Sequence, residues 1–416
     1  MNVANAAKYA PDLLPWQSAA DFEALAAAGL DTVRLLAFWS GIAPAEGQLD
    51  AAYLDAYAAR VEWAAAAGLL VVVDMHQDLF GVGFGEDGAP RWACDEALYA
   101  SYEPASPWYV GYFTPEVTAC FDRFYADDAL FSRFVEAWRA LAARVAASPA
   151  VVAFDLLNEP WYGSHVWGPF ISETWQPRLE ELSAALHEEA PDKLVVWEGL
   201  TLSSLGMVDP FVPPADGRTV FGPHYYHPDV HDGAAYEGAM ASQIDWAFAG
   251  MAATAANLGG APVWVGELGG PTEVAGFDDY LEDMLERLAA RRWGWSYYAD
   301  DRATDGFAIR HDDGSMKTHV VERLGHPHAR RVPGPASEQS LSFATGTYRL
   351  RFVWTYDAPL ELWRGTGAAA NVELRAVADG TILPCTASPG AVAGVWQCAP
   401  PAPGALGQAY ELTLQP

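Results

Sequence analysis

The segment AVVAFDLLNEP, residues 150–160, decides the fold. VVAFDLL is a mostly apolar run of strand length, and it gives way to Asn158 and Glu159 because Pro160 has no N–H to continue a ladder. A strand that delivers a carboxylate at its end either builds a site or carries a badly placed charge.

Outward from this segment, further strand-length runs appear at TVRLLAF (32–38), LLVVVDM (69–75), LVVWEG (194–199), TVFGPHY (219–225), PVWVGE (262–267) and WGWSYY (293–298). Stretches of helical periodicity lie between them, among them SAADFEALAAAG, ALFSRFVEAWRALAARVAAS and FDDYLEDMLERLAARR. Strand and helix alternate with no glycine-rich dinucleotide turn, so the pattern predicts an α/β fold, a (β/α)8 TIM barrel rather than an open sheet. Seven strands are visible. The first should precede NVANAAKYAP, so residues 1 to 5 are expected to supply a stub of it. The barrel is expected over residues 1–330. From 331 to 416 the pattern changes to short alternating strands such as TYRLRFVWTY and NVELRAVA, which predict a C-terminal antiparallel β-sandwich domain.

In a barrel the site lies at the C-terminal ends of the strands, so polar residues that close apolar runs belong together. Arg34 lies in the second strand, Asp74, His76 and Asp78 close the third, Asn158 and Glu159 the fourth, His224 and Tyr226 the sixth, Glu267 the seventh, and Trp295 and Tyr298 the eighth. Residues two apart on a strand face one way, which groups Asp74 with His76 and Asp78, and His224 with Tyr226. Two carboxylates across a cleft are what glycosidic bond cleavage requires, one to protonate the leaving oxygen and one to act at the anomeric carbon. Glu159 and Glu267 are the natural pair, and this chemistry calls for no cofactor and no metal. HYYHPDVHD offers His224, His227, Asp229 and His231, but without the helical HExxH spacing of a zinc site.

This ordered set resembles the retaining barrel glycosidases of clan A, and within them glycoside hydrolase family 5. NEP looks like that family's acid/base motif and WVGELGG like its nucleophile strand; VRLL, DMHQD and PHYY add Arg34, His76, His224 and Tyr226. NVANAAKYAP, DMHQDLFG, GAPRWA and RLGHPHARRVPG are similar to the endoglycoceramidase-like branch, which cleaves between a sugar and a lipid. The resemblance implies Glu267 as nucleophile and Glu159 as acid/base. It places Lys8, His76 and Asp78 on the sugar beside the scissile bond and Asn158 on its 2-hydroxyl. Tyr298 stands where the family often has a tryptophan.

The expected function is therefore a retaining β-glycosidase acting on a glycolipid or another glycoside with an apolar aglycone. A β-glucosidase or diglycosidase on small aryl glycosides, an endo-β-glucanase and a non-catalytic carbohydrate-binding protein are the alternatives. The formal charge of −30 argues against nucleic acid as a partner, and no stretch reaches the roughly 18 apolar residues of a membrane span. Cys94 with Cys120 and Cys385 with Cys398 are candidate disulfides, which would fit a secreted protein; the N-terminal stretch shows no signal-peptide pattern, so a cytoplasmic protein with free thiols is the alternative. The segment from Leu79 to Asp127 is long for a loop and rich in aromatics, as expected of a lid, a wall or a satellite cluster packed on the barrel.

Overall fold

The computed structural model describes residues 1–3, 5–302, 306–365, 371–388, 393–402 and 405–416. Its first part is a barrel of parallel strands: β1 (Asn2–Val3), β2 (Thr32–Phe38), β3 (Leu70–His76), β4 (Val151–Asp155), β5 (Leu194–Trp197), β6 (Thr219–Phe221), β7 (His224–Tyr225), β8 (Trp264–Leu268) and β9 (Gly294–Tyr297). β1 to β6 pair in sequence order, and β7, β8 and β9 form the remaining arc. β6 and β7 are two halves of the sixth barrel strand, interrupted at Gly222 and Pro223. The Gly222 N–H reaches Trp197 O on the β5 side, whereas Pro223 O accepts from Gly266 on the β8 side. A proline that cannot donate marks the change of partner.

The expected N-terminal stub is present. β1 pairs in parallel with β2 through Asn2–Arg34 and Val3–Leu35. It also closes the barrel: Asn2 O accepts the Asp300 N–H at 2.9 Å, and the Asn2 side chain donates to Gly266 O at 2.9 Å.

Alternation along the strands sorts the barrel interior into layers. Val72, Ala153 and Val196 form an apolar layer. Two residues further along β3 and β4 come Asp74 and Asp155, and Glu198 follows the end of β5, so the next layer is polar and buried. Outward-facing Val33, Leu35, Val71 and Val73 pack beneath the helices. Helix Asp128–Val145 shows why these segments are helical: Phe131, Phe134, Trp138, Leu141 and Val145 recur at three- and four-residue spacing on its buried face, and Asp127 caps its first turn by accepting from the Ala129 and Leu130 N–H groups.

The long segment after β3 contains the short helices Glu96–Ser101, Trp108–Phe113 and Pro115–Ala126, tied by the Cys94–Cys120 disulfide. Phe80, Phe121 and Phe124 pack with Trp39 and Phe134 as a satellite of the core, while Trp108, Tyr109, Val110 and Phe113 remain exposed along its rim. The packed cluster expected of this stretch is therefore found in it.

Beyond the barrel, β10 (His328–Arg331) opens the sandwich, three residues before the boundary read from the sequence. It lies in one antiparallel sheet with β13 (Leu360–Trp363), β16 (Cys385–Ala387) and β17 (Val395–Cys398). The facing sheet holds β11 (Ala336–Ser342), β12 (Thr347–Val353), β14 (Asn371–Ala376), β15 (Ile382–Leu383) and β18 (Ala409–Gln415). Tyr348, Leu350 and Phe352 alternate inward against Tyr410, Leu412 and Leu414. Cys385 and Cys398 lie directly opposite each other on β16 and β17 and are joined as the second disulfide.

Trp363 fixes the sandwich to the barrel. It is 2% exposed, donates to Gly325 O at 2.8 Å and lies where a Cβ on Gly29 would collide with it at 2.4 Å. Gly29 has φ +93°, so that position needs glycine for its backbone as well as for space. Trp363→Ala is expected to lower stability by about 3–5 kcal/mol, as truncation of a buried aromatic usually does. Urea unfolding would check this, and a loss below about 1 kcal/mol would mean that the contact does not hold the two parts together.

Candidate active site

Arg34 occupies the centre of the polar layer and is fully buried. Its Nε donates to Asp155 at 2.8 Å, Nη1 to Glu267 at 2.6 Å and to Asn2 at 3.1 Å, and Nη2 to Asp74 at 2.8 Å, Asn158 at 2.9 Å and Glu198 at 3.0 Å. One guanidinium thus meets four carboxyl groups. Burial drives Asp74 well above the ordinary carboxylate range and raises Asp155. Burial also pushes Glu198 up to about 8.

Glu267 behaves differently. Burial would raise it, but His224, Arg34 and Lys8, with a 2.7 Å hydrogen bond from the Tyr226 hydroxyl, outweigh burial and hold it below its usual value. Glu159 stands opposite at the end of β4, its side chain 19% exposed toward the cleft. His224 Nδ1 lies 3.0 Å from Glu159 Oε1 and 3.7 Å from Glu267 Oε2, and the donor atoms of these three residues all lie within 4.8 Å of one another. Although burial disfavours its charge, Glu198, Glu267 and Glu159 raise His224 well above the usual imidazole value.

Lys8, His76, Asp78 and Tyr298 line the adjoining wall. Lys8 Nζ donates to Asp78 at 2.5 Å and sits 5.3 Å above the Tyr298 ring, whose hydroxyl bonds Asn5. His76 accepts or donates through Nδ1 to Asp74 at 2.7 Å, while its buried Nε2 has no hydrogen-bond partner. Burial, with Lys8 and Arg34 nearby, lowers His76 well below the usual value, so its ring is neutral. Asn158 accepts from Arg34 and donates to Gln77 O.

One of the residues grouped from the sequence is not in the cleft. Trp295 pairs with Val265 in the first half of β9 and lines a cavity of about 440 Å³ at the opposite end of the barrel, with Met1, Asp31, Trp264 and Tyr348. The eighth strand was placed in the site as a whole, but only its C-terminal end, where Tyr298 sits, reaches it. Conversely, Glu198 and Gln77 were passed over. Glu198 closes LVVWEG just as Glu159 closes its own strand, so the same rule could have found it. Gln77 faces away from His76 and Asp78 and gave no signal, yet its amide donates to both Asn158 O and Glu159 O.

Three clusters could offer donor atoms to a cation: His76 with Asp78 and Asp87, Asp155 with Glu198 and His224, and Glu159 with His224 and Glu267. Each is already served by a cation of the chain, Lys8 in the first and Arg34 or His224 in the others. Among the described residues His227, Asp229 and His231 form no such cluster.

A parallel barrel whose strand ends bring two glutamates to one cleft has the layout of a barrel glycosidase. The chain belongs to glycosyl hydrolase family 5, the cellulase family, whose model matches residues 5–303. It is 28% identical over 334 residues to endoglycoceramidase I of Rhodococcus hoagii, covering 74% of this chain and 65% of that one. It is 26% identical to an endoglycoceramidase of Cyanea nozakii, covering 51% of this chain and 48% of that one. The chain thus spans about two thirds of the length of the first relative and half that of the second. The structure of endo-glycoceramidase II from Rhodococcus sp. superposes with a TM-score of 0.87 at 28% identity, covering 100% of this chain and 96% of that one. The same enzyme in complex with ganglioside GM3 gives a TM-score of 0.85 at 27% identity.

The two site histidines should titrate in opposite senses. Nitrogen chemical shifts recorded from pH 6 to pH 8 are expected to show His224 as imidazolium and His76 as a neutral ring throughout. A neutral His224 at pH 6 would contradict the charge arrangement described.

Proposed function

We propose that this protein is a retaining β-glycosidase that cleaves the bond between a sugar and a lipid, with a glycosylceramide as the substrate class. The observation that carries the reaction is the pairing of Glu267, ionised and held by Arg34 and Tyr226, with Glu159 across a gap in which their oxygens approach within 4.8 Å. Retaining enzymes place their carboxyl groups about 5–5.5 Å apart, and inverting enzymes leave room for a water between them.

In this reading Glu267 attacks the anomeric carbon as the glycosidic C–O bond breaks, and Glu159 gives its proton to the departing oxygen. Glu159 then takes a proton from water as that water displaces Glu267, so the configuration is kept. His224 stays between the two carboxylates and limits their repulsion. Lys8, His76, Asp78 and Tyr298 line the wall where the sugar would lie, with Asn158 toward its 2-hydroxyl.

An apolar leaving group is supported by the exposed rim of Trp108, Tyr109, Val110 and Phe113. This rim joins the site at two places. Phe113 meets Trp161 at 4.7 Å, two residues beyond Glu159, and Tyr109 meets His231, which in turn meets Tyr226. The endoglycoceramidases among the relatives support the same substrate class. Two disulfides are consistent with an extracellular protein, and we place the enzyme outside the cytosol. Among the described residues no helix is long and apolar enough to cross a membrane.

Incubation with glucosyl-, galactosyl- and lactosylceramide, nitrophenyl β-glycosides and cellulose, with products read by mass spectrometry, tests the reading. Intact sugar plus ceramide is the expected outcome. Turnover of aryl glycosides alone would leave the mechanism and remove the lipid; release of cello-oligosaccharides alone would make the enzyme an endoglucanase. Glu267→Gln should abolish turnover of every substrate. Glu159→Gln should cost about 10²- to 10⁴-fold on glycosides with poor leaving groups, as loss of a general acid does.

A further inference from the structure

Glu159 lies in an unusual backbone conformation. Its φ is +41°, a left-handed value that side-chain-bearing residues adopt only when their surroundings impose it. Its peptide groups are gripped on both sides. The Glu159 N–H donates to Glu198 Oε2 at 2.7 Å, while its carbonyl accepts from Gln77 Nε2 at 2.9 Å and from Thr201 Oγ1 at 2.9 Å. The other oxygen of Glu198 accepts from Arg34 Nη2 at 3.0 Å and lies 3.3 Å from His224 Nε2. The Glu198 side chain is 2% exposed and does not open onto the cleft.

We propose that Glu198 is a positioning residue for acid/base catalysis: one carboxyl holds the backbone that aims Glu159, and at the same time holds His224, the ring that touches both catalytic carboxylates. The inference rests on the proposed function, since it assigns Glu198 a part in the step given to Glu159. The geometry explains why a glutamate is needed. Both oxygens of Glu198 face donors, the Glu159 N–H on one side and Arg34 with His224 on the other. Glutamine fills the same volume but has one acceptor and one NH₂, so in either orientation its NH₂ opposes a donor. Aspartate keeps both acceptors but is one methylene shorter and cannot span from Arg34 to the Glu159 N–H without pulling one of them.

The consequence is specific to the leaving group. If Glu198 aims Glu159, its loss should lower kcat/KM where the departing oxygen needs a proton and leave kcat/KM nearly unchanged where it does not. Displacement of a catalytic group by about 1 Å can cost on the order of 100-fold.

The experiment compares Glu198→Gln, Glu198→Asp and Glu159→Ala with wild type on two β-glycosides of the same sugar, one with a dinitrophenol leaving group and one with an alkyl alcohol. For Glu198→Gln, kcat/KM on the alkyl glycoside should fall about 10- to 100-fold. On the dinitrophenyl glycoside kcat/KM should hold within about threefold, with kcat and KM falling together because release of the sugar still needs the Glu159 base. Glu198→Asp should show the same selectivity with a smaller loss, and it decides the matter if the glutamine variant does not fold. Equal losses on both substrates, or no loss on either, would overturn the proposal. Glu159→Ala separates the two claims. If it shows the leaving-group selectivity and the Glu198 variants do not, Glu198 has no positioning role; if it shows none, the acid/base reading fails and takes this inference with it.

Discussion

Everything in this cleft depends on the guanidinium of Arg34. Burying a cation at the centre of a barrel is expensive unless its donors are all used, and Arg34 spends them on four carboxyl groups and two side-chain amide oxygens. A lysine could not replace it, because an ammonium offers three donors at a point rather than a planar fork reaching strands on several sides. The fork ties the side chains of residues on β1, β2, β3, β4 and β8, and the ends of β4 and β5, into one layer.

One positive charge cannot neutralise four carboxylates, and the way the deficit is resolved gives the site its polarity. Asp74, Asp155 and Glu198 have no outlet to solvent, so burial raises all three above the ordinary carboxylate values. Glu267 shares Arg34 with them but also faces His224, Lys8 and the Tyr226 hydroxyl, and this added positive field keeps it ionised. A set of chemically similar acids is thereby divided into three that burial raises and one, Glu267, that its surroundings hold low. Such a separation of titration behaviour by environment is how acid and base assignments arise in enzymes generally.

How far the sequence could be read follows from the same physics. The barrel was legible because buried parallel strands must be apolar runs, and the sandwich because its strands must alternate. Strand-end residues such as Glu159, Glu267 and His224 stood out because a charge that closes an apolar run is conspicuous. Glu198, which closes LVVWEG, is equally conspicuous by the same rule. Trp295 misleads because side chains two or three residues apart on a short strand sit at different depths of the barrel. Gln77 could not have been found from pattern alone: its task is to bond backbone carbonyls of a distant strand, and that leaves no trace in the spacing of residue types. The two disulfides could be listed as local pairs, but only the opposed positions of Cys385 and Cys398 on neighbouring strands, and the folding of the long loop around Cys94 and Cys120, explain why those partners meet.

The place of the sandwich settles what it can contribute to this cleft. It meets the barrel where strands begin: near Gly29, Asp31 and Thr32 at the start of β2, and near Arg292, Trp293 and Gly294 at the start of β9. β11 packs along helix Phe277–Arg291, and Phe343 donates its N–H to Glu286 on that helix. Glu159 and Glu267 lie at the far ends of their strands, with the apolar layer of Val72, Ala153 and Val196 between them and the sandwich. A substrate in the cleft therefore has no path to the sandwich through the barrel. What the sandwich does meet is the end of the barrel at which β1 begins: Met1 lines the same cavity of about 440 Å³ as Tyr348 and Leu350 of β12. β1 is two residues long, and its hydrogen bonds to β2 and to Asp300 are few. Asn2 of that strand is one of the groups that hold Arg34.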